Sequence, residues 1–335
     1  MRAGVLLAVG IPALIASLAV ATAIGPADLS PGDVAEVVRA RLGFGDTGLS
    51  RIAQGIVWDL RLPRTLLAAV CGAGLAVCGA VLQSVLRNPL ADPFLLGISA
   101  GASTGAVAVV VLGLGVGTLG LTAGAFLGAA VAFGVVVALA AVAGGGPGRV
   151  VLAGVAATQL FSAVTSYVVI TSADAEQTRG VLFWLLGSLS RARWGDVGVA
   201  AAVCAVAIAV CLARANDLDA FAFGADAAAS LGVAVRPLRA TLLGVTALLT
   251  ATLVAVAGAI GFVGLVLPHA ARLLVGPGHR AALPVTALLG ALLLVWVDTL
   301  ARTAAAPLEV PAGVVTALVG VPAFAVLLAR RRAAV

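Results

Sequence analysis

Asp298 lies within the apolar stretch Val295-Trp-Val-Asp-Thr-Leu-Ala-Arg302. An ionisable residue in such a setting can serve as a proton or cation site, the chemistry of an ion-coupled secondary transporter. Arg302 follows at i+4 with the acid on its N-terminal side, and both stand near the end of the run, so the spacing favours a local ion pair. His269 follows Pro268 with no His, Cys or carboxylate at ligand spacing, which favours a hydrogen-bonded packing residue over an iron ligand. The cysteines form two pairs seven residues apart, Cys71 with Cys78 and Cys204 with Cys211, inside apolar runs. That spacing suits small helix-packing residues rather than a disulfide or metal frame. The only glutamates, Glu36, Glu176 and Glu309, fall between apolar runs, and no motif assembles a Ser, His and Asp set, so an intramembrane enzyme is the weakest reading. A nucleotide-binding P-loop needs a lysine on the phosphates. The chain has no lysine, so ATP hydrolysis would belong to a partner, and no cofactor or metal is expected.

The elements that must hold these residues follow from hydropathy. Hydrophobic residues make up 62% of the chain and charged residues 10%, against roughly 25% charged in an average soluble domain. So much apolar surface cannot be hidden in one water-soluble globule, and the chain reads as an all-α polytopic membrane protein. Its net charge of +6 comes from arginines spread between apolar runs. They fit membrane flanks and lipid headgroups, whereas a nucleic-acid face would cluster them on one surface. A run of about 20 apolar residues, rising about 1.5 Å each, crosses a hydrocarbon core of about 30 Å. Ten runs are read as spans: 4–24, 65–86, one after the Arg87-Asn-Pro-Leu-Ala-Asp-Pro93 corner, 119–143, 150–170, 197–213, 238–256, a glycine-broken 258–275, 281–300 and 311–329. The first is taken as a span because it is longer than a signal-peptide core of about 7 to 15 residues and Gly25-Pro26-Ala27 is a poor cleavage site. An even count puts both termini on one side, and Arg2 with Arg330, Arg331 and Arg332 makes that side cytoplasmic.

Within this single transmembrane domain, 1–335, residues 26–60 become an outer loop with a short amphipathic helix through Val34, Val37, Val38 and Leu42. Residues 171–196 become an outer loop with a short re-entrant or surface helix, carrying Trp184 and Trp194 as interface aromatics. Leu75–Val81 is echoed by Val254–Ile260 at an offset of 179 residues, which also carries Pro89 onto Pro268. The echo suggests two five-span halves, a common transporter device.

RLPRTLLAAVCGAGLAVCGAVLQ from Arg61, followed by RNPLADPFLLGISAGAS from Arg87, resembles the permease subunit of ATP-binding-cassette importers for ferric siderophores and cobalamin, the FecCD type. The stretches 180–189, 258–272 and 311–322 agree with it in the same order. The resemblance implies a type II importer permease fold with ten transmembrane helices in two five-helix halves. It also implies a second permease subunit as homo- or heterodimer, cytoplasmic ATPase subunits, an extracytoplasmic substrate-binding protein and a bacterial plasma membrane location. The implied cargo is a ferric siderophore, with cobalamin or haem as the alternative within the family.

Residue roles carry over only where the motifs match. Phe221 to Gly232 resembles the family's paired coupling helices, within a cytoplasmic segment 217–236, and points to Phe221, Phe223, Gly224, Asp226, Leu231 and Gly232 as the ATPase contact. Ala225 stands where the family usually has an acid and Ala229 where it often has arginine. The contact is therefore expected to rest on apolar knobs, Phe221, Phe223 and Leu231, rather than on charge. An ordinary amphipathic connector is the plain alternative. Arg61, Arg64 and Arg302 match the arginines that receive carboxylates of the binding protein, though each could simply anchor a helix end. Gln83, Asn88, Pro89, Gly97, Ser99, Gly101 and Pro268 are assigned to the translocation path or its helix packing, and each glycine taken singly reads as a packing residue.

Overall fold

The computed structural model describes residues 2–111, 113, 118–172 and 174–332. Among them the regular structure is entirely helical. Helix α1 spans Arg2–Ala23. The segment after it carries α2, Pro31–Arg41, which starts at a reciprocal cap: Asp33 N–H donates to Ser30 Oγ at 3.1 Å and Ser30 N–H to Asp33 Oδ2 at 2.7 Å. Helix α3, Arg51–Gly55, passes through a π-helical turn, Ile56–Arg61, straight into α4, Leu62–Val85. The expected outer loop 26–60 is thus helical from Arg51, because Ser50 Oγ caps Ala53 N–H at 3.2 Å and starts the helix early. Pro63 accounts for the π turn. Its ring cannot sit under the carbonyl four residues back, and Leu62 N–H instead reaches the carbonyl of Val57, five residues back.

Helix α4 is the centre of the molecule, with most of its residues buried. Around it pack α9, Trp194–Ala213, α12, Val235–Ala257, α13, Val263–Val275, and α14, His279–Thr303. It crosses α14 closely at Gly72 and Gly290, where a Cβ on either residue would overlap the other's carbonyl, and α13 at Gly79, where a Cβ would overlap the Gly264 carbonyl. A second layer consists of α5, Ile98–Val111, α6, Thr118–Val142, and α7, Pro147–Ser172. Gly101 of α5 meets the Gly128 carbonyl and Ala132 of α6 just as closely, which gives that residue a packing role. Helix α8, Ala175–Leu185, fills the expected short-helix position in 171–196 behind an Asp174–Gln177 capping box. Two very short helices, α10, Ala215–Phe221, and α11, Ala225–Ser230, precede α12, and α15, Ala312–Arg332, ends the described chain.

Among the described residues, seven helices are long and apolar enough to cross a membrane, and the shorter apolar helices are Ile98–Val111, Val263–Val275 and Ala312–Ala325. The expected span 258–275 is helical only from Val263. Residues 258–262 are irregular, with Gly258 at φ +69° and Phe262 at φ +67°, so the chain cannot continue α12 through them. That break also separates the two echoed segments: Leu75–Val81 lies mid-helix in α4, whereas Val254–Ile260 straddles the end of α12.

Candidate functional site

Ser84, near the C-terminal end of α4, is held by residues from two distant elements. The His279 ring pairs through Nε2 with Ser84 Oγ at 2.6 Å and through Nδ1 with Asp219 Oδ1 at 2.5 Å. The same Asp219 oxygen accepts the backbone N–H of His279 at 2.9 Å, capping the first turn of α14. Asp219 belongs to α10, so one chain of hydrogen bonds ties the short connector helix to α14 and to α4. The connectivity is that of a Ser-His-Asp triad, but Ser84 Oγ is also tied to the Ala80 carbonyl of its own helix at 3.1 Å. The arrangement fastens three elements together. No sequence motif could have found it, since the three residues are 60 to 195 positions apart.

The connector divides at Gly224, whose φ of +107° breaks the chain between α10 and α11, and turns again at Gly232, φ +85°. Phe223 and Leu231 stand out, 76% and 70% exposed, and Asp226 is exposed on α11. Phe221 corrects the expectation of a third outward knob. It follows Leu218 at i+3 on the inward face of α10, and both are fully buried against Val81, Val85, Leu238 and Leu242. The Arg239 guanidinium lies over its ring, 5.8 Å from the centroid.

Further inside, Gln83 sits beside α13, and Pro268 explains why. Having no N–H, Pro268 cannot bond the carbonyl of Gly264, four residues back. Gln83 Nε2 donates to that orphaned carbonyl at 3.2 Å and to the Leu265 carbonyl at 3.2 Å. Its Oε1 in turn accepts from Arg272 at 2.7 Å. Gly264 lies against the Pro93 ring with no room for a side chain. Gly97, φ +71°, closes the 3-10 turn Pro93–Leu96 before α5 begins, and the Ser99 carbonyl accepts from Ser103 Oγ in the first turn. Asn88 Oδ1 accepts from Leu90 N–H at 2.9 Å and shapes the corner around Pro89. Of the expected path residues, Gln83 and Pro268 thus lie where α4 packs on α13, Pro89 lies in the corner after α4, and Gly97 and Ser99 stand at the start of α5, Gly97 against Ala157 and Gly154 of α7. A cavity of about 500 Å³ opens at the end of α4 beside the connector, lined by Gln83, Ser84, Pro89, Leu218, Arg272 and His279.

Arg61, Arg64 and Arg302 gather at the opposite end of α4, and each holds internal partners. Arg61 is 7% exposed and donates to the carbonyls of Thr22, Ala23 and Ala27 at 3.3, 2.7 and 3.2 Å. Arg302 donates to the Ile24 carbonyl at 2.8 Å and to that of Ala21. Two guanidiniums therefore cover the C-terminal end of α1, where the carbonyls and the helix dipole are negative. Arg64 Nε bonds both oxygens of buried Asp298 at 3.1 and 3.0 Å, and its Nη1 bonds Glu309 at 3.0 Å. Arg302 Nε stands 3.9 Å from Asp298, so the principal partner of that acid is Arg64 and not its i+4 neighbour. Nearby, Trp194 donates from Nε1 to the Trp58 carbonyl at 2.9 Å and packs on its ring, joining the segments 26–60 and 171–196 at this end.

Comparison with known proteins places this geometry. The model of the FecCD transport family matches residues 13–330. The cobalamin import system permease protein BtuC of Halobacterium salinarum is 46% identical over 285 residues, 85% of this chain and 76% of that protein. The hemin transport system permease protein HmuU of Yersinia pestis is 40% identical over 281 residues, 82% of this chain and 84% of that one. A solved structure described as an inward-facing conformation of a metal-chelate type ABC transporter superposes with a TM-score of 0.85 at 30% identity, covering 97% of this chain and 98% of that chain. With a family match over nearly its whole length, this multi-pass membrane protein belongs to the FecCD transport family of ABC importer permeases.

Proposed function

We propose that the chain forms the translocation path of an ATP-driven importer for a metal chelate, in a bacterial plasma membrane, as ten spans in two five-helix halves paired with a second permease subunit. The observation that carries this reading is a pair of half-length helices, α5 and α13, each preceded by a break in the α-helical chain, the 3-10 turn Pro93–Leu96 with Gly97 before one and residues 258–262 before the other, with Pro93 packed on Gly264. They are the third and eighth apolar helices in chain order, equivalent places in two five-helix halves. Paired interrupted helices are the usual pointer to a transport site. Irregular backbone at such depth is tolerated only where protein or a cavity lines it.

The connector α10–α11 is the proposed ATPase contact, with Phe223 and Leu231 as its knobs, and Asp219 passes its movement to α14 and α4. The Arg61 end is the proposed docking face for a substrate-binding protein. Arg61 and Arg302 shape it by holding the end of α1, and Arg64 is the cation an incoming carboxylate reaches by displacing the half-exposed Glu309. Ferric siderophore is the first reading of the cargo. Cobalamin is the second, favoured by the 46% identical relative.

Vesicles holding this chain, its ATPase and its binding protein test the proposal. Uptake of ferric siderophore that needs both ATP and the ATPase subunit is expected, and uptake of cobalamin in its place selects the second cargo. Accumulation driven by a proton gradient without the ATPase overturns the importer reading.

A further inference from the structure

A groove of about 840 Å³ runs between α6, the start of α7 and the start of α12, away from the path. Its floor is apolar, with Phe133, Val137 and Ala140 on one face of α6 and Leu243 on α12. Its mouth is basic, with Arg236 and Arg239 one turn apart on α12. Arg149 lies outside the lining, folded back against Gly144 so that its Nη1 donates to the Gly145 carbonyl at 3.4 Å. No ion pair engages these arginines among the described residues, and the buried Nε of Arg239 has no hydrogen-bond partner there. Neither 98–172 nor 235–257 contains a single Asp or Glu, so the elements that build the groove supply positive charge only. The N-terminus of α7 adds the positive end of a 26-residue helix beside Gly144–Gly146.

We infer that this groove binds one anionic phospholipid, its phosphodiester held by Arg236 and Arg239 and an acyl chain laid along Phe133 and Val137. Depth decides between lipid and protein. Phe133 lies nine residues inside the end of α6, about 13 Å along the axis, within a helix that is apolar throughout and long enough to cross the bilayer. A ligand that fills the groove from mouth to floor must have a charged head and a long apolar tail. A cytoplasmic partner can cover the mouth but cannot reach the floor. Basic sites between helices at the headgroup level recognise lipids in this way.

Native mass spectrometry of the full chain in detergent, with added phosphatidylglycerol or phosphatidylcholine, tests the site without reference to transport. A negative result here leaves the importer reading standing, and a failed transport assay leaves this one standing. The parent should retain phosphatidylglycerol in preference to phosphatidylcholine. Arg236→Ala combined with Arg239→Ala should weaken that retention by about 30-fold, at roughly fivefold for each cation near a headgroup. Val137→Trp keeps both arginines, blocks the floor and should also release the lipid, so the test survives if the double variant fails to fold. Excess inorganic phosphate should not displace the lipid. Equal retention in parent and double variant, retention unchanged by Val137→Trp, or displacement by phosphate alone overturns the assignment. Loss of the lipid whenever the ATPase subunit binds would give the groove to that partner and overturn it too.

Discussion

Removing the Arg61 side chain would strip the carbonyls of Thr22, Ala23 and Ala27 of a shared donor at a buried helix end. A buried acceptor left unpaired costs about 1 to 3 kcal/mol. Arg61→Ala should therefore lower the melting temperature of the detergent-solubilised protein, and an unchanged melting curve would show that water or another group satisfies α1. Arg64 predicts a different outcome. Its outer partner Glu309 is 39% exposed and competes with any incoming acid. Glu309→Gln should tighten binding of an acidic partner protein about two- to fivefold, within the range of an exposed ion pair, while Arg64→Ala should weaken it. Titration of the binding protein at low and moderate salt measures both. If Glu309→Gln leaves affinity unchanged, docking does not use Arg64. The sequence paired Asp298 with the nearest cation on its own helix, because the i+4 rule sees only local neighbours. Arg64, 234 residues away, makes the shorter contact. What was legible was that a carboxylate within an apolar run needs a cation. Which cation depends on how α4 and α14 cross at Gly72 and Gly290, and no local spacing encodes that.

At the scale of the element, the connector α10–α11 has an inner and an outer face with separate duties. Phe221→Ala would open a cavity in a closed core and should cost about 3 to 5 kcal/mol of stability, read as a drop in thermal stability or yield. Leu231→Asp changes a residue that is 70% exposed, so it should leave stability unchanged and lower co-purification of the ATPase. Equal effects of the two substitutions on stability would put both residues on one face. Asp219→Ala should spare assembly, since Asp219 faces the permease, but cut the link to His279 and Ser84. Transport per ATP hydrolysed should then fall by about tenfold, the effect of losing about 1.4 kcal/mol of coupling. If hydrolysis and transport fall together, the link only holds the fold. The motif identified the two short helices and both turn glycines. It could not assign Phe221 its face, because seven residues of α10 make two turns and the inward side is set by what packs on them. Leu218 and Phe221 share that side at i+3, a spacing visible in the sequence that points to burial once a helix is assumed.

For the whole molecule, the decisive quantity is how far each apolar helix reaches. The 13 residues of α13 rise about 20 Å, short of a hydrocarbon core of about 30 Å. The five residues 258–262 before it can add up to about 16 Å when extended. At the start of this run Gly258 lies beside Trp184 and Gly187, and towards its end Arg272 bonds Gln83 near the end of α4 that carries Ser84. Helix α5 repeats the device, 14 residues preceded by the turn Pro93–Leu96. Hydropathy found all these runs, because apolar length is a property of the residues themselves. It could not tell a continuous helix from a half-helix with an extended lead, because Gly258 and Phe262 at positive φ are choices made by the packed chain. If the run 258–275 crosses, three crossings separate Leu231 from Leu308. Residues on the connector and on the α14–α15 loop then face opposite sides. If it only dips into the bilayer, two crossings separate them and they face the same side. Phe223 and Leu308 are 76% and 75% exposed, and all four native cysteines are buried, so the parent offers little background to an impermeant thiol reagent. Leu308→Cys should label in intact cells and Phe223→Cys only after the membrane is opened. Labelling of both from outside, or of neither, would remove one crossing from the second half and with it the count of ten.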